Sequence, residues 1–203
     1  MSDSLPQAYF DALYAGDPDP WGFRTRPYEQ VKYDDTIAAL EGRRFKTAVE
    51  VGCSIGELTA RLGEVCDQVL GVDIAEAPLR LARARNAGAP HIRFARMAMP
   101  GTIPKGRFDL IVLSEVLYYF SADDRAAMAD WVATALTPDG TALLVHWLGE
   151  TPDYPFTGDQ AVEGFLNAAA AKLTIAQRWR RDLYRVDRLR RAASDDPEAA
   201  PPI

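Results

Sequence analysis

Glu50, Gly52, Gly56 and Glu57 fall within eight residues of one another, in the run A-V-E-V-G-C-S-I-G-E-L-T-A-R-L from Ala48 to Leu62. The apolar start (Ala48, Val49, Val51) predicts a strand, the two glycines a turn, and Leu58 with Leu62 one face of a helix. Glycine at such a turn lets the backbone take φ > 0 and lets a ligand press against main chain with no Cβ in the way. The helix start presents free N–H groups to whatever binds. A second strand, Val69 to Val72, ends in Asp73, 23 residues beyond Glu50. An acidic side chain at that distance is where a ribose diol is held. The glycine spacing is E-x-G-x-x-x-G, not the G-x-G-x-x-G of dinucleotide folds, whose helix start takes a pyrophosphate. Carboxylates at 50 and 57 would repel a pyrophosphate. They suit a nucleoside that carries positive charge and no phosphate.

Strands alternating with helices must position these groups. The expected strands are 46–51, 68–73, 91–95, 108–114 and 141–147, and the expected helices are 57–65, 76–87, 122–136 and 160–172. F-D-L-I-V-L-S (108–114) is a near-continuous apolar run, as a strand buried on both faces should be. T-P-D-G (137–140) reads as a turn and Ser121 as an N-cap. The stretch from 173 to 190 alternates well enough for two strands joined tightly around Arg181 and Asp182. Ahead of the first strand, Leu5–Ala15 and Tyr28–Leu40 have helical spacing, with Pro27 opening the second. The α/β alternation predicts a parallel sheet covered on both faces. Three parts are expected: an N-terminal helical or lid segment (1–45), a ligand-binding core (46–191) and a disorder-prone tail (192–203).

Composition excludes several classes. The chain has 203 residues, 48% of them hydrophobic, enough for one α/β domain. Its net charge of −6 argues against a nucleic-acid footprint, and no apolar run approaches a membrane span. The N-terminus lacks a signal peptide's basic start and apolar core. Two cysteines, Cys53 and Cys66, are too few for a disulfide scaffold and read as reduced thiols in a cytoplasmic protein. Two histidines without a Cys/His cluster leave no zinc site. The seven arginines between Arg178 and Arg191 read as a solvated hairpin face.

The E-x-G-x-x-x-G turn resembles that of the class I methyltransferases, whose cofactor, S-adenosylmethionine, has a sulfonium, an ammonium and a ribose diol. The block D-P-W-G-F-R-T-R-P-Y-E-Q-V-K-Y (Asp19–Tyr33), followed by E-V-G-C-S-I-G-E-L-T, narrows this. It resembles the nodulation protein S family, methyltransferases that N-methylate the deacetylated non-reducing end of a chitooligosaccharide in Nod factor synthesis. The resemblance runs from about Tyr9 to Arg190. It implies a class I methyltransferase Rossmann-like fold, with a mostly parallel seven-stranded sheet ending in an antiparallel hairpin and helices on both faces. It implies S-adenosylmethionine as cofactor, S-adenosylhomocysteine as product, and no metal.

On that resemblance Glu50, Gly52, Cys53 and Gly56 surround the amino-acid and ribose part of the cofactor, and Asp73 takes both ribose hydroxyls. Ile74 packs on the adenine; Met97 either does so or fills core. Where family members often carry an adenine-binding Asp, this chain has Arg96, so backbone near Met97 would have to serve. Trp21 and Arg26 belong to a loop that could close over the cofactor, Arg26 pairing with its carboxylate; the other reading is a hinge with Trp21 anchored in the core. Ser114 and Glu115 end the 108–114 strand, where ligands bind in open α/β sheets. Glu115 and His146 are candidates to orient the acceptor amine and receive its proton, against a helix-capping carboxylate and a core histidine. Tyr118 is favoured for the site and Tyr119 for packing. Trp147, Tyr154 and Phe156 either line an oligosaccharide groove or cover the sheet edge. Competing readings are a methyltransferase for another small amine, hydroxyl or carboxyl, a cofactor-binding module without turnover, and an NAD-dependent oxidoreductase.

Overall fold

A computed structural model describes residues 3–192. Two helices, α1 (Gln7–Gly16) and α2 (Pro27–Ala38), precede the first strand, β1 (Phe45–Val51). Then come α3 (Glu57–Val65), β2 (Cys66–Asp73), α4 (Glu76–Arg85), β3 (Ile92–Arg96) and β4 (Phe108–Ser114). A single helical turn (Leu117–Tyr119) leads to α5 (Ala122–Ala135), β5 (Leu136–Trp147) and α6 (Gly158–Ala169). A hairpin of β6 (Leu173–Arg180) and β7 (Tyr184–Arg191) ends the fold. The seven strands are ordered β3-β2-β1-β4-β5-β7-β6, parallel from β3 to β5 and antiparallel in the hairpin. This is the mostly parallel sheet with a terminal hairpin expected from the sequence.

The register explains why the chemistry collects at one edge. Glu50 lies level with Gly71 on β2 and Val112 on β4, and Ser114 with Val145 on β5. Val51, Asp73, Arg96, Ser114 and Trp147 therefore end parallel strands on the same side. Along β4, alternate side chains enter opposite cores. Ile111 and Leu113 pack with Met128, Val132 and Phe165 of α5 and α6. Leu110 and Val112 pack with Leu58, Leu62 and Tyr33 of α3 and α2. That two-sided burial is the reason the 108–114 run has no polar alternation.

Element ends depart from expectation where local chemistry overrides periodicity. The T-P-D-G segment does not end a turn before a strand at 141; β5 already begins at Leu136. Its pairing with β4 jumps from Phe108↔Leu136 to Leu110↔Thr141, so the segment is an excursion inside the strand. Pro138 has no N–H to give the ladder, which confines it to such an irregularity. Helix α6 begins two residues early because Thr157 and Gln160 form a capping box. Ser121 does cap α5, accepting from the Asp124 N–H. Ala192 is still tied to the sheet region, its N–H donating to the Lys172 carbonyl; the rest of the expected tail lies outside the described residues. No helix among the described residues is long and apolar enough to cross a membrane.

The arginine-rich hairpin is not simply a solvated face. Arg185 is 1% exposed, and its guanidinium donates to Asp187, Asp159 and Glu163. Arg178 also pairs with Asp187, and Arg180 is bidentate to Asp159. The α6 carboxylates Asp159 and Glu163 thus clamp that helix to the hairpin. Removing one partner of a buried ion network strands the other charge, at a cost of about 3–5 kcal/mol. Arg185→Met is expected to lower the unfolding free energy by about 3 kcal/mol, measured by urea denaturation, whereas Arg190→Met on the exposed side should change it by less than about 0.5 kcal/mol.

Candidate active site

A cavity of about 520 Å³ opens at the carboxyl ends of β1, β2 and β4 and is walled by α1, the segment 21–33 and the loop after β5. Its first half is the glycine turn. Gly52 has φ 77° and Gly56 has φ 78°, and the Gly52 and Cys53 N–H groups both donate to the Val72 carbonyl. A Cβ on Gly52 would meet Val116 Cγ1 at 2.2 Å, so the turn and the segment after β4 touch. Gly52, Cys53, Asp73, Ile74, Met97 and Ser114 line the cavity, with Glu50, Trp21 and Arg26. Gly56 does not: as N-cap of α3 it faces Ala82 and Phe94, and its place is structural.

Asp73 accepts the Ser54 N–H on one carboxylate oxygen and the Ala75 N–H on the other, each at 2.9 Å. Each oxygen keeps acceptor capacity for a second donor, as a vicinal diol would need. Glu50 is 2% exposed and accepts only from Thr59 among the described residues. Burial pushes Glu50 up to about 7, with Asp73 adding to the rise, and pushes Asp73 up to about 6. Among the described residues no basic side chain pairs with either. Two carboxylates held in this way fit a cationic ligand with hydroxyl donors and would reject a pyrophosphate. Met97 stands where expected, but its N–H is spent on the Asp73 carbonyl. Arg96 turns out of the cavity to donate to the Ile74 carbonyl and to Gln7.

The second half is built on Glu115, which has φ 58°, a conformation few non-glycine residues adopt. Its Oε1 accepts from Lys32 Nζ at 2.6 Å, and its Oε2 from the Tyr118 hydroxyl and the Trp147 N–H at 2.8 Å each. Burial, the largest single influence, would raise its pKa; Lys32 and the other neighbours, the Trp147 N–H among them, together outweigh it and hold Glu115 below the ordinary carboxylate range. Glu115 therefore stays ionised and its lone pairs are largely engaged, so it is no free proton acceptor. Nor does it merely cap a helix. Tyr118 stacks on Tyr154 at 5.2 Å, and Trp147 meets Tyr28 edge to face at 5.3 Å. Tyr28, Tyr118, Tyr119, Trp147 and Tyr154 all line the cavity.

Three expectations are corrected here. His146 is wholly buried and lies behind the cavity wall; its Nε2 accepts the Leu117 N–H at 3.1 Å, and the Val116 N–H at 3.4 Å points to it too. Burial lowers it to about 4, so it is a neutral histidine fixing the turn after β4, not an acid–base group. Phe156 lies under the Arg125 guanidinium, 3.7 Å from ring centre to carbon, away from the cavity. Tyr119, assigned to packing, lines the cavity as well as packing on Phe10. Sequence reasoning missed Glu29, Lys32 and Tyr28. Glu29 and Lys32 are three apart on α2 and share a face, but that spacing looks the same on an exposed helix.

The family model described as nodulation protein S (NodS) matches residues 12–147. The chain belongs to the nodulation protein S family. It is an S-adenosylmethionine-dependent methyltransferase. Nodulation protein S of Bradyrhizobium diazoefficiens is 32% identical over 161 residues, which cover 78% of this chain and 72% of that one. The fold matches the crystal structure of the N-methyltransferase NodS from Bradyrhizobium japonicum in complex with S-adenosyl-L-homocysteine, with a TM-score of 0.79. That match covers 91% of this chain and 97% of that chain at 20% identity. A putative methyltransferase from Pseudomonas syringae is 35% identical, with a TM-score of 0.69 over 82% of this chain and all of that one.

The raised pKa values of Glu50 and Asp73 have a thermodynamic consequence for the ligand-free methyltransferase. Both groups bind protons more tightly folded than unfolded, so their contribution favours the fold at low pH and is lost as pH rises from about 4 to about 7. Glu50→Gln is expected to raise the melting temperature of the ligand-free protein at pH 8, flatten its pH dependence, and weaken S-adenosylhomocysteine binding. Thermal melts across pH 5–8 with parallel calorimetry test this; a variant no more stable than the parent at pH 8 rejects it. Asp73→Ala is expected to weaken S-adenosylhomocysteine binding by about 10-fold or more, from two lost hydrogen bonds to a charged acceptor.

Proposed function

We propose that this methyltransferase acts on the free amine of the deacetylated non-reducing-end glucosamine of a chitooligosaccharide, as in Nod factor synthesis. The observation that carries the reading is the second half of the cavity. Four aromatic rings (Tyr28, Tyr118, Trp147, Tyr154) stand there beside two carboxylates, Glu29 and Glu115. Flat rings suit the apolar faces of a sugar. An acidic surround favours an amine over a hydroxyl or a carboxylate, because nitrogen gains positive charge as it is methylated.

The cofactor, when bound, supplies an electrophilic methyl group on a sulfonium for in-line displacement by the acceptor nitrogen. The chain's residues hold the two partners. Asp73 takes the ribose hydroxyls, and Glu50 faces the cationic end beside Gly52 and Cys53. Ile74 and Met97 cover the base, Ser114 borders the transfer point, and Arg26 pairs with the carboxylate. Trp21, edge to face with Tyr14 and stacked on Phe23, closes the wall and excludes water. Orientation of this kind contributes on the order of 7–11 kcal/mol to lowering such barriers. Glu115, ionised and braced, opposes the charge growing on nitrogen. Buried, unpaired Cys53 and Cys66 are in keeping with a reducing compartment such as the cytoplasm.

Incubation with S-adenosylmethionine labelled in the methyl group, and with chitotetraose or its mono-deacetylated form, tests the reading. Label is expected in the deacetylated oligomer alone. Label in neither oligomer, from protein that binds S-adenosylhomocysteine, would exclude the sugar. With the accepted oligomer, Glu115→Gln is expected to lower kcat by about 10- to 100-fold and leave S-adenosylhomocysteine affinity within about threefold.

A further inference from the structure

Glu29 is a buried carboxylate to which no step of the transfer has been assigned. It is 5% exposed, lines the second half of the cavity, and its Oε2 has no hydrogen-bond partner. Lys32 Nζ lies 2.9 Å from that oxygen, an ion-pair contact outside hydrogen-bond alignment, while Lys32 donates to Glu115 at 2.6 Å. One lysine thus serves two carboxylates. Glu115 takes the aligned bond and two further donors, and Glu29 takes the remainder. The cluster carries one net negative charge within a largely aromatic wall. Burial raises the Glu29 carboxyl above its ordinary value, against the pull of Lys32, the opposite direction from Glu115. Two carboxylates side by side are thereby driven apart in basicity, the pattern that separates a proton acceptor from a fixed charge. Position agrees. Glu115 directly precedes Val116, which touches Gly52, so the cluster adjoins the end of the cavity where the cofactor turn begins.

We propose that Glu29 binds the acceptor as an ammonium and takes its proton, making this site selective for amines. The inference rests on the proposed methyl transfer, not on the acceptor being a sugar. The acceptor enters as R–NH3⁺ and donates to Glu29 Oε2 the aligned hydrogen bond that Lys32, in ion-pair contact with that oxygen, does not give it. One N–H bond breaks, its proton passes to the Glu29 carboxylate, and the freed lone pair attacks the methyl carbon. The C–N bond forms as the C–S bond breaks, leaving R–NH2⁺–CH3 and S-adenosylhomocysteine. Glu29 then returns the proton to water as the product departs. Lys32 is a positioning residue: it fixes Glu115 ionised and leaves Glu29 with a spare acceptor.

The test measures methyl transfer by the parent protein, Glu29→Gln and Glu29→Asp to four probes. These are mono-deacetylated chitotetraose, the non-sugar amine phenethylamine, fully acetylated chitotetraose for hydroxyl acceptors, and phenylacetate for a carboxyl acceptor. S-adenosylhomocysteine binding is followed by calorimetry in each variant. Expected is transfer to an amine probe only. Glu29→Gln should lower kcat/KM at least 100-fold, Glu29→Asp should recover part of the loss, and cofactor affinity should stay within threefold. Transfer to phenethylamine alone with the same dependence on Glu29 supports the inference and rejects the sugar. Four outcomes overturn it: transfer to a hydroxyl or carboxyl probe, a Glu29→Gln rate within threefold of the parent, a Glu29→Asp rate no better than Glu29→Gln, or no transfer to either amine by parent protein that binds S-adenosylhomocysteine.

Discussion

Glu115 is an ionised carboxylate on the wall of an aromatic cavity, and three separate stretches of chain hold it in that state. Lys32 comes from α2, the Tyr118 hydroxyl from the helical turn after β4, and the Trp147 N–H from the end of β5. Burying such a charge without partners would cost several kcal/mol, and burying the pair gains little stability over an apolar replacement. The network is better understood as a device for position. It binds the N-terminal region to the carboxyl edge of the sheet and imposes a left-handed backbone on Glu115 that few residues accept. His146 supports the same turn from beneath, giving its Nε2 lone pair to the amide of Leu117.

The first half of the cavity is built on the opposite principle. Among the described residues Glu50 and Asp73 have hydroxyl and amide donors but no cation, and burial leaves both with raised affinity for a proton. A cationic ligand with a diol supplies what these residues lack, so binding relieves a cost already present in the free protein. The contrast between a cluster paired with Lys32 and an uncompensated pair of carboxylates, at two ends of one cavity, distinguishes the two halves. At the aromatic end, Lys32 and its neighbours hold Glu115 ionised. The uncompensated end derives affinity from the ligand's own charge, and a more stable version of it would bind less well.

What could be read from the sequence follows from how local each signal is. The strand at 108–114 was plain because two-sided burial leaves no polar alternation. The turn at 50–57 was plain because its glycines and carboxylates are adjacent in sequence. Residues whose meaning depends on distant partners were not legible. His146 ends an apolar strand much as a catalytic histidine would; only the approach of the Val116 and Leu117 amides identifies it as an acceptor in the core. Phe156 sits two residues from Tyr154, yet Arg125 of α5 draws it out of the cavity wall. Glu29 and Lys32 form an i,i+3 pair that a solvated helix would also show, and their burial appears only once Glu115 is brought beside them. Arg185 of β7 misled for the same reason: two of its carboxylates, Asp159 and Glu163, come from α6, 26 and 22 residues away along the chain.

The N-terminal segment makes the two halves one site. The Tyr14 hydroxyl is 2.6 Å from the Ser54 hydroxyl on the cofactor turn, and the Leu5 N–H donates to the Tyr119 carbonyl beside the aromatic end. Tyr9, Phe10 and Tyr14 of α1 line the cavity between those anchors. The segment is also held by Ser4, bonded to Asp124 and Ser121, by Gln7, which accepts from Arg96, and by a small apolar cluster of Phe10, Tyr14 and Ala75. Peripheral elements with few buried contacts open at lower free-energy cost than the sheet does. One short helix therefore forms wall for both halves of the cavity.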